Sequence, residues 1–275
     1  MILVTGASGY LGRRVVRHLR EAGRACVGTC FSTSPGELAT ERLDLRRRAD
    51  VAALVERVRP HAVIHCAGSD RGEEVREAIV GGTRNLVDAL HGTNTRLLVL
   101  STDVVFDGRD GPYTETDRPN PLHEYGRAKV EAEAIAAEHP GAVAVRSSLI
   151  YDLDEMDHAT AGMTARLRAG ETLQLYTDEL RSPVWRRSLC QACLALVDSD
   201  FAGPIHVGGD DALSRAEYAR KLFAWWQVDC TDRVLEVPAA NPVRPRDCRL
   251  DTTLARRILS VPLPGVDAVL ATAHA

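Results

Sequence analysis

The chain has 275 residues, of which 45% are hydrophobic and 26% are charged, which is the balance of an ordinary soluble globular protein. Its formal net charge is −4 and it has no long basic block, so we expect no nucleic-acid partner. No stretch approaches the ~20 apolar residues of a membrane-spanning helix. The apolar run Met1–Val4 is too short for a signal peptide, and we expect no membrane partner.

The number and spacing of the cysteines predict the cellular compartment of the protein. The seven cysteines are odd in number and scattered through apolar stretches, which favours reduced thiols in the cytoplasm over a disulfide framework. Cys190 and Cys193 have the spacing of a metal or redox pair, but they lie in a helical pattern with no second pair nearby. We therefore predict that both are small core residues, that the chain binds no metal, and that it is cytoplasmic.

The chain begins with a predicted buried strand, Ile2–Thr5, followed by a glycine-rich turn and a helix. This order is the context that a dinucleotide-binding fingerprint requires. Gly6 would allow the tight turn, Gly9 would let the backbone approach a pyrophosphate, and Gly12 would let the helix pack close to the strand. The N-terminus of the helix would then offer N–H groups and partial positive charge to the phosphates.

The end of the second predicted strand, Ala25–Cys30, bears on the choice of cofactor. NAD sites place an acidic residue there, which binds the ribose 2′-hydroxyl. Here Phe31, Ser32 and Thr33 follow, without a carboxylate. Hydroxyl groups could bind a 2′-phosphate and Arg13 could supply positive charge, so we expect NADP(H) rather than NAD(H).

Strands and helices continue to alternate along the first half of the chain. The predicted segments are a helix over 49–58, a strand over 62–65, a helix over 73–90, a strand over 96–101 and a strand over 143–146. This alternation predicts a parallel sheet covered by helices on both faces. Ligands bind such sheets at the carboxyl ends of the strands.

Several residues lie at or near these strand ends. Asp44 could accept a hydrogen bond from an adenine amino group, or it could cap the following helix. The small residues Cys66, Ala67 and Gly68 would let a cofactor ribose pass closely. His65 ends a buried strand, where a hydrogen-bonded core histidine is favoured over a catalytic one.

Tyr125 and Lys129 open a helical pattern that runs to Ala137. Residues four apart lie on one face of a helix. A nearby cation lowers the pKa of a tyrosine from its usual value of about 10, so the pair could pass a proton to or from a substrate oxygen. The hydroxyl of Thr102, at a strand end, would face the same crevice.

With Gly6-x-x-Gly9-x-x-Gly12, Thr102 and Tyr125-x-x-x-Lys129, the chain resembles the extended short-chain dehydrogenase/reductase family. Within that family it looks most like the dTDP-4-dehydrorhamnose reductases and related sugar nucleotide-binding proteins. This likeness is carried by residues 101–108, 178–183 and 244–251.

The resemblance implies an α/β fold with two parts. One is a Rossmann-type, doubly wound parallel sheet that binds the dinucleotide, formed by residues 1–146 and about 183–207. The other is a smaller, discontinuous α/β domain that binds the substrate, formed by about 147–182 and 208–275.

The resemblance also implies an NADP(H)-dependent reductase that transfers hydride to a keto group of a nucleotide-linked deoxysugar or other small molecule. Tyr125 would protonate the developing alkoxide, Lys129 would lower the pKa of the phenol and bind the nicotinamide ribose, and Thr102 would orient the substrate oxygen. The implied cofactor-binding residues are Gly6, Ser8, Gly9, Tyr10, Leu11, Gly12, Ser32, Asp44, Leu45, Cys66, Ala67, Gly68, Ser101, Tyr125 and Lys129.

Asp103, Arg181 and Arg244 are the candidate substrate-binding residues. The two arginines, with Arg246, could hold a diphosphate through forked hydrogen bonds, and surface salt bridges are the alternative. In the 4,6-dehydratases of the family that the chain resembles, the residues at this strand end are Thr-Asp-Glu. Here the chain has Val104 in the position of the Glu. Dehydration is therefore disfavoured, and Asp103 is interpreted as a loop hydrogen-bonding residue.

Two other functions stay open. One is a non-catalytic, NADP-binding regulatory subunit, because the regulatory subunit of methionine adenosyltransferase resembles the same reductases. The other is an NAD-dependent sugar-nucleotide epimerase, whose catalytic residues would be largely the same. Helix pairs in this fold often form dimers, so a homodimer is a candidate assembly.

Overall fold

The computed structural model describes residues 1–32, 36–68, 75–241 and 243–273. Its first half contains, in chain order, β1 (Ile2–Thr5), α1 (Tyr10–Glu21), β2 (Cys26–Cys30), β3 (Glu41–Arg42), α2 (Arg48–Val58), β4 (Ala62–His65), a π-helical turn (Glu77–Gly81), α3 (Gly82–Leu90), β5 (Arg96–Thr102), a 3₁₀ turn (Asp103–Val105), α4 (Glu124–Ala136) and β6 (Val143–Ser147). The remainder contains β7 (Ile150–Tyr151), α5 (His158–Arg168), β8 (Leu173–Tyr176), β9 (Leu180–Arg181), β10 (Val184–Trp185), α6 (Arg186–Val197), β11 (Gly203–Val207), β12 (Leu213–Ser214), α7 (Arg215–Trp225), β13 (Val234–Val237), α8 (Thr253–Ile258) and α9 (Val266–Ala273).

A seven-stranded sheet in the order β11-β6-β5-β4-β1-β2-β3 forms the centre of the molecule. Every neighbouring pair in it is parallel. Successive side chains of a strand point to opposite faces, and β1 follows this rule. Ile2 and Val4 pack with α1 and α6 on one face, whereas Leu3 packs with α2, α3 and α4 on the other. The predicted Rossmann-type fold is confirmed.

A smaller assembly of short strands lies beyond the central sheet. β7 pairs with β10 in parallel, β9 with β12 antiparallel, and β8 with β13 in parallel. Helices α5 and α7 pack on β8 through an apolar cluster that includes Leu167, Leu173 and Phe223. Most elements of this assembly come from the two segments assigned to the substrate-binding domain, but β10 lies in the segment 183–207 assigned to the dinucleotide-binding domain. The domain bounds themselves stay a prediction.

The observed elements differ from the predicted ones mainly at their ends. Helix α4 begins at Glu124, one residue before the predicted start at Tyr125, because the Nδ1 atom of His123 accepts a hydrogen bond of 3.2 Å from the Gly126 N–H and caps it. β6 continues to Ser147, which pairs with Val207 of β11. The beginning of the predicted helix over 73–90 lies outside the described residues.

None of the helices within the described ranges combines the length and apolar character needed to cross a membrane. Cytoplasmic localisation and assembly as a homodimer stay predictions.

Gly12 provides a test of how closely α1 packs on the glycine turn. A Cβ atom at Gly12 would collide with the carbonyl oxygen of Gly6, which is main chain. We expect Gly12→Ala to lower the free energy of unfolding by about 1–3 kcal/mol, the range for overpacked interiors. Denaturant unfolding of the purified variant measures this change.

Gly162 is the matched control, because it lies within α5 and a Cβ atom there would contact nothing within 4 Å. Gly162→Ala should raise the unfolding free energy by about 0.5–1 kcal/mol, since alanine has the higher helix propensity. Equal effects of the two substitutions would contradict the close packing at Gly12.

Candidate cofactor and catalytic site

A cleft of about 730 Å³ lies at the carboxyl ends of β1, β2 and β4. The residues that line it are Gly6, Ser8, Gly9, Thr29, Cys30, Phe31, Ser32, Leu43, Asp44, Leu45, Arg46, Cys66, Ala67, Gly68, Val75 and Ala78. Nine of the predicted cofactor-binding residues are therefore brought together here. The remaining six do not line this cleft, namely Tyr10, Leu11, Gly12, Ser101, Tyr125 and Lys129. The hydroxyl of Thr33, a further candidate to bind a 2′-phosphate, lies outside the described residues.

The glycine turn shapes the floor of this cleft. Gly6 has a left-handed backbone conformation with φ of +69°, which favours glycine. A Cβ atom there would lie 2.8 Å from the backbone N of Ala67, so the loops after β1 and β4 touch. Gly9 is the N-cap of α1 and provides no side-chain cap for the first N–H groups of the helix. These groups can bind phosphate oxygens at the positive end of the helix dipole.

The side chain of Tyr10 points to another partner. Its hydroxyl donates to the Glu155 carbonyl oxygen at 2.8 Å, and burial raises its pKa above the usual value. The guanidinium carbon of Arg186 lies 4.3 Å from the centroid of its ring, and Arg186 also donates to the Glu155 carboxylate at 2.7 Å. Arg186 bonds Asp152 as well, so a partly buried ionic network joins the first turn of α1 to α6 and to the loop after β7.

The structure gives Arg13 a protein partner, and its contact with a cofactor 2′-phosphate stays a prediction. Its guanidinium forms an ion pair with Glu155, and Arg13 is not among the cleft residues. Arg46 does line the cleft, with its guanidinium carbon 5.0 Å from the ring centroid of Phe31. Arg46 begins a run of three arginines, a pattern typical of a solvated loop, so its position in the cleft is not evident from the sequence.

Asp44 lies in the cleft but does not cap α2. The N-cap of that helix is Arg47, and no side chain caps it. The Asp44 carboxylate accepts two hydrogen bonds of 2.8 Å from the Arg46 guanidinium, which hold its pKa below the usual value. Its predicted contact with an adenine amino group stays a prediction.

The three predicted catalytic residues come from β5 and α4. Thr102 ends β5, and its Oγ1 accepts from the Val104 N–H and donates to the Asp103 carboxylate at 3.2 Å. Tyr125 is half-buried in the first turn of α4. The Lys129 Nζ lies 5.8 Å from the centroid of the Tyr125 ring, as the spacing of four predicts.

Lys129 is 5% exposed, and its Nζ donates to the Leu100 carbonyl oxygen at 2.9 Å. A Cβ atom on Gly68 would lie 3.2 Å from the same Nζ, so the ammonium group adjoins the loop that lines the cleft. Burial lowers the pKa of Lys129 to about 8, although Cys66 and Glu133 act in the opposite direction. The ammonium group thus lies between the cofactor cleft and Tyr125.

Ser101 faces a structural partner rather than the cleft. Its hydroxyl donates to the carboxylate of Glu133. The same carboxylate accepts a hydrogen bond of 2.7 Å from Arg146, and this ion pair is buried between α4 and β6. The pair holds α4 against the sheet, and a direct role for Ser101 in cofactor binding stays a prediction.

Asp103 is a buried acceptor directly beside Thr102. Its carboxylate accepts from the Ser148 hydroxyl at 2.6 Å and from Thr102, and it lies 3.6 Å from the Nε atom of Arg181. These contacts agree with its interpretation as a hydrogen-bonding loop residue. They leave its direct contact with substrate as a prediction.

The candidate diphosphate-binding arginines differ in what they contact. Arg181 is 5% exposed and donates to the carbonyl oxygens of Leu180, Arg246 and Pro245 at 2.8–2.9 Å. Arg244 bonds the buried carboxylate of Glu179 with its Nη2 at 2.9 Å. The geometry thus favours a structural role for Arg181, and substrate binding by either arginine stays a prediction.

The remaining polar groups near the sheet belong to the core. His65 is buried and hydrogen-bonds the hydroxyls of Thr5 at 2.6 Å and Thr83 at 3.3 Å. Burial and the charge of Lys129 lower its pKa to about 3, so the ring stays neutral.

Cys190 and Cys193 are buried in the apolar layer, as predicted. Within the described ranges, no group of three or more His, Cys, Asp or Glu residues could hold a metal ion.

Comparison with known proteins gives matches over almost the whole chain. The profile of the family described as "RmlD substrate binding domain" matches residues 1–273. A probable low-salt glycan biosynthesis reductase from Haloferax volcanii is 32% identical, over 88% of this chain and 87% of the relative. Methionine adenosyltransferase 2 subunit beta from Xenopus tropicalis is 29% identical, over 93% of this chain and 81% of the relative.

Two solved structures are similar over nearly their full lengths. A hypothetical dTDP-4-dehydrorhamnose reductase from Sulfolobus tokodaii has a TM-score of 0.83 and 29% identity, covering 97% of each chain. The dTDP-4-dehydrorhamnose reductase from Bacillus anthracis, in complex with NADP, has a TM-score of 0.84 and 24% identity, covering 98% of this chain and 97% of that one. The second likeness bears on the fold alone.

The burial of Lys129 predicts a dependence of stability on pH. Because its folded-state pKa of about 8 is below the unfolded value of about 10.4, the unfolded chain binds more protons between these values. Stability therefore rises with pH across this window. The unfolding free energy of the wild type minus that of Lys129→Met should increase by about 2 kcal/mol between about pH 7 and pH 10.

Lys221→Met is the control, because Lys221 is partly exposed and pairs with Asp267. The difference in unfolding free energy between the wild type and Lys221→Met should change much less over the same pH range, since water already solvates the ammonium group of Lys221. If the difference in unfolding free energy between the wild type and Lys129→Met did not change with pH, the ammonium group of Lys129 would not be desolvated.

Proposed function

The chain belongs to the RmlD substrate binding domain family, and on that premise we propose that it is an NADP(H)-dependent reductase of the keto group of a nucleotide-linked deoxysugar. The observation that carries the proposal is the position of the Lys129 ammonium group. It is buried beside the loop after β4 that lines the cleft, and it lies 5.8 Å from the ring centroid of Tyr125. A fixed cation between a dinucleotide cleft and a tyrosine suits proton transfer coupled to reduction.

The cleft has features that fit a dinucleotide. Its volume is about 730 Å³, and the backbone at Gly6 leaves no room for a side chain. The first N–H groups of α1 would hold the pyrophosphate beside Ser8 and Gly9, and Lys129 would bind the nicotinamide ribose. When bound, NADPH supplies the hydride, and the protein supplies orientation and electrostatics.

Tyr125 and Thr102 would protonate and orient the substrate oxygen. A cation beside a phenol favours loss of its proton, which prepares Tyr125 to donate that proton to an oxygen gaining negative charge. The Thr102 hydroxyl would orient the same oxygen, and its side chain is already fixed by the Val104 N–H and by Asp103. Stabilisation where charge develops is the contribution that accelerates such a step.

The end of β2 favours NADP(H) over NAD(H). Phe31 and Ser32 line the cleft where an NAD site would place a carboxylate, and Arg46 adds a guanidinium. The Asp44 carboxylate beside it is bonded to Arg46 and is therefore partly neutralised. A 2′-phosphate would meet a hydroxyl and a cation at this end of the cleft.

Arg46→Met tests this assignment through binding alone. We expect the Kd of NADPH to rise about tenfold, as for loss of one charge-assisted hydrogen bond, and that of NADH to change less than about twofold. Fluorescence titration of both cofactors against wild type and variant measures the changes. Equal weakening of NADH and NADPH would contradict the assignment of Arg46 to the 2′-phosphate.

The likeness to methionine adenosyltransferase 2 subunit beta, at 29% identity over 93% of this chain, keeps a regulatory subunit as a second candidate. Such a protein would bind cofactor and reduce nothing. An epimerase, the other alternative, would retain its NAD during purification and need no added cofactor.

Turnover distinguishes these functions. NADPH oxidation is followed with a panel of dTDP- and UDP-linked 4-keto-6-deoxysugars for the wild type and Tyr125→Phe. We expect the wild type to reduce at least one of them and the variant to lose at least about 10²-fold in kcat, since general acid catalysis contributes 10²–10⁴. The Kd of NADPH should be the same in both. An unchanged kcat in Tyr125→Phe would remove Tyr125 from the mechanism.

A further inference from the structure

One segment of the chain, residues 148–157, contacts both the residues beside Thr102 and the glycine turn, and we call it the linking segment. It follows β6, contains β7, and ends at the residue before α5. That residue is Asp157, whose carboxylate caps α5 by accepting from the Ala159 N–H at 2.8 Å. Each end of the linking segment contacts a different part of the site.

The first end of the linking segment lies beside Thr102. The Ser148 hydroxyl donates to the Asp103 carboxylate at 2.6 Å, and the same carboxylate accepts from the Thr102 hydroxyl at 3.2 Å. All three residues are buried. Because Thr102 would orient the substrate oxygen, a displacement of Ser148 would move the carboxylate that holds the Thr102 hydroxyl.

The second end of the linking segment lies against the first turn of α1. The Tyr10 hydroxyl donates to the Glu155 carbonyl oxygen at 2.8 Å, and the Arg13 Nε donates to the Glu155 carboxylate at 3.3 Å. Tyr10 directly follows Gly9, and its backbone N–H is among those at the start of α1 that suit a diphosphate. The backbone that would bind the cofactor and the side chain that holds Glu155 therefore belong to one residue.

Arg186 of α6 joins the second end of the linking segment to the glycine turn from the interior. It is 2% exposed, and its Nη1 donates to the Tyr10 carbonyl oxygen at 3.3 Å and to the Glu155 carboxylate at 2.7 Å. Its Nε donates to the Asp152 carboxylate at 2.5 Å. A buried guanidinium is costly without such acceptors, so a displacement of the turn would be passed on to Asp152 and Glu155.

The middle of the linking segment is held by two tryptophans from distant parts of the chain. The Trp185 indole N–H donates to the Asp152 carboxylate at 3.4 Å, and that of Trp225 donates to the Leu153 carbonyl oxygen at 3.0 Å. β7 also pairs with β10. The segment is thus supported between its two ends and can transmit a displacement from one to the other.

We propose that the linking segment couples cofactor binding to the orientation of Thr102. Diphosphate bound at the glycine turn would fix Glu155, and the segment would then fix Asp103 and the Thr102 hydroxyl in the orientation that the substrate oxygen requires. Glu155 and Ser148 are positioning residues, which act through Thr102 rather than on the reacting atoms. This inference rests on the proposed function, because it takes the role of Thr102 from it.

Hydrogen exchange tests the coupling without any reaction. Amide exchange is measured by mass spectrometry with and without saturating ADP-ribose that carries the 2′-phosphate, which is NADP without its nicotinamide. Direct contact of nicotinamide with Thr102 is thereby avoided. In the wild type we expect the ligand to slow exchange over 152–157 and over 103–106 by at least about fivefold, the lower end of coupling between sites.

Variants at the two ends should lose different parts of this effect. Glu155→Ala removes the carboxylate that holds the second end, so the slowing should be lost over both 152–157 and 103–106. Glu155→Gln keeps weaker hydrogen bonds and should give an intermediate result. Ser148→Ala removes the hydroxyl at the first end, so the slowing should be lost over 103–106 alone.

Asp198→Asn is the matched control. Asp198 joins the end of α6 to Arg24, which follows α1, with a hydrogen bond of 2.7 Å on the exposed surface. It therefore links the same two helices away from the glycine turn. This variant should show the slowing of the wild type over both 152–157 and 103–106.

The inference is overturned if the ligand slows exchange over 103–106 in Glu155→Ala or in Ser148→Ala as it does in the wild type, or if the wild type shows no slowing there. The Kd of each variant is measured by calorimetry, so that loss of binding is not taken for loss of coupling. If Glu155→Ala does not bind the ligand, Ser148→Ala alone decides.

Failure of the proposed function gives a different result. In that case NADPH oxidation is absent with every keto-sugar, whereas the dependence of exchange over 103–106 on Glu155 and Ser148 is still measurable.

Discussion

The buried ammonium group of Lys129 is the constraint on which the rest of the site depends. An ammonium group loses hydration in the interior and is stable there only with hydrogen-bond acceptors and nearby negative charge. The Leu100 carbonyl oxygen at the end of β5 provides the acceptor, and Glu133 one turn along the helix provides the charge. Meeting these needs fixes α4 against the strand ends, and it fixes Tyr125 beside the cofactor cleft.

The glycine turn and the catalytic spacing were predictable, because both depend on local geometry. Gly6, Gly12, Tyr125 and Lys129 act through backbone approach and through spacing on one helix, which are properties of a few neighbouring residues. The parallel sheet followed in the same way from alternating strands and helices.

The charged residues were less predictable, because their partners are distant in sequence. Arg13 pairs with Glu155, which is 142 residues away, and no local pattern points to this partner. Arg181 is occupied by carbonyl groups 64 and 65 residues away. Whether an arginine is occupied or available for a ligand depends on tertiary contacts that composition and spacing do not give.

The central claim is that this chain moves hydride from NADPH to a sugar carbon, and transfer of a label tests it most directly. NADPH carrying deuterium at C4 of its nicotinamide is incubated with a nucleotide-linked 4-keto-6-deoxysugar, and the sugar product is analysed by mass spectrometry and NMR. The account predicts deuterium at the former keto carbon, in the amount of NADPH oxidised. Product formed without deuterium from added NADPH, or no product with any keto-sugar, would contradict it.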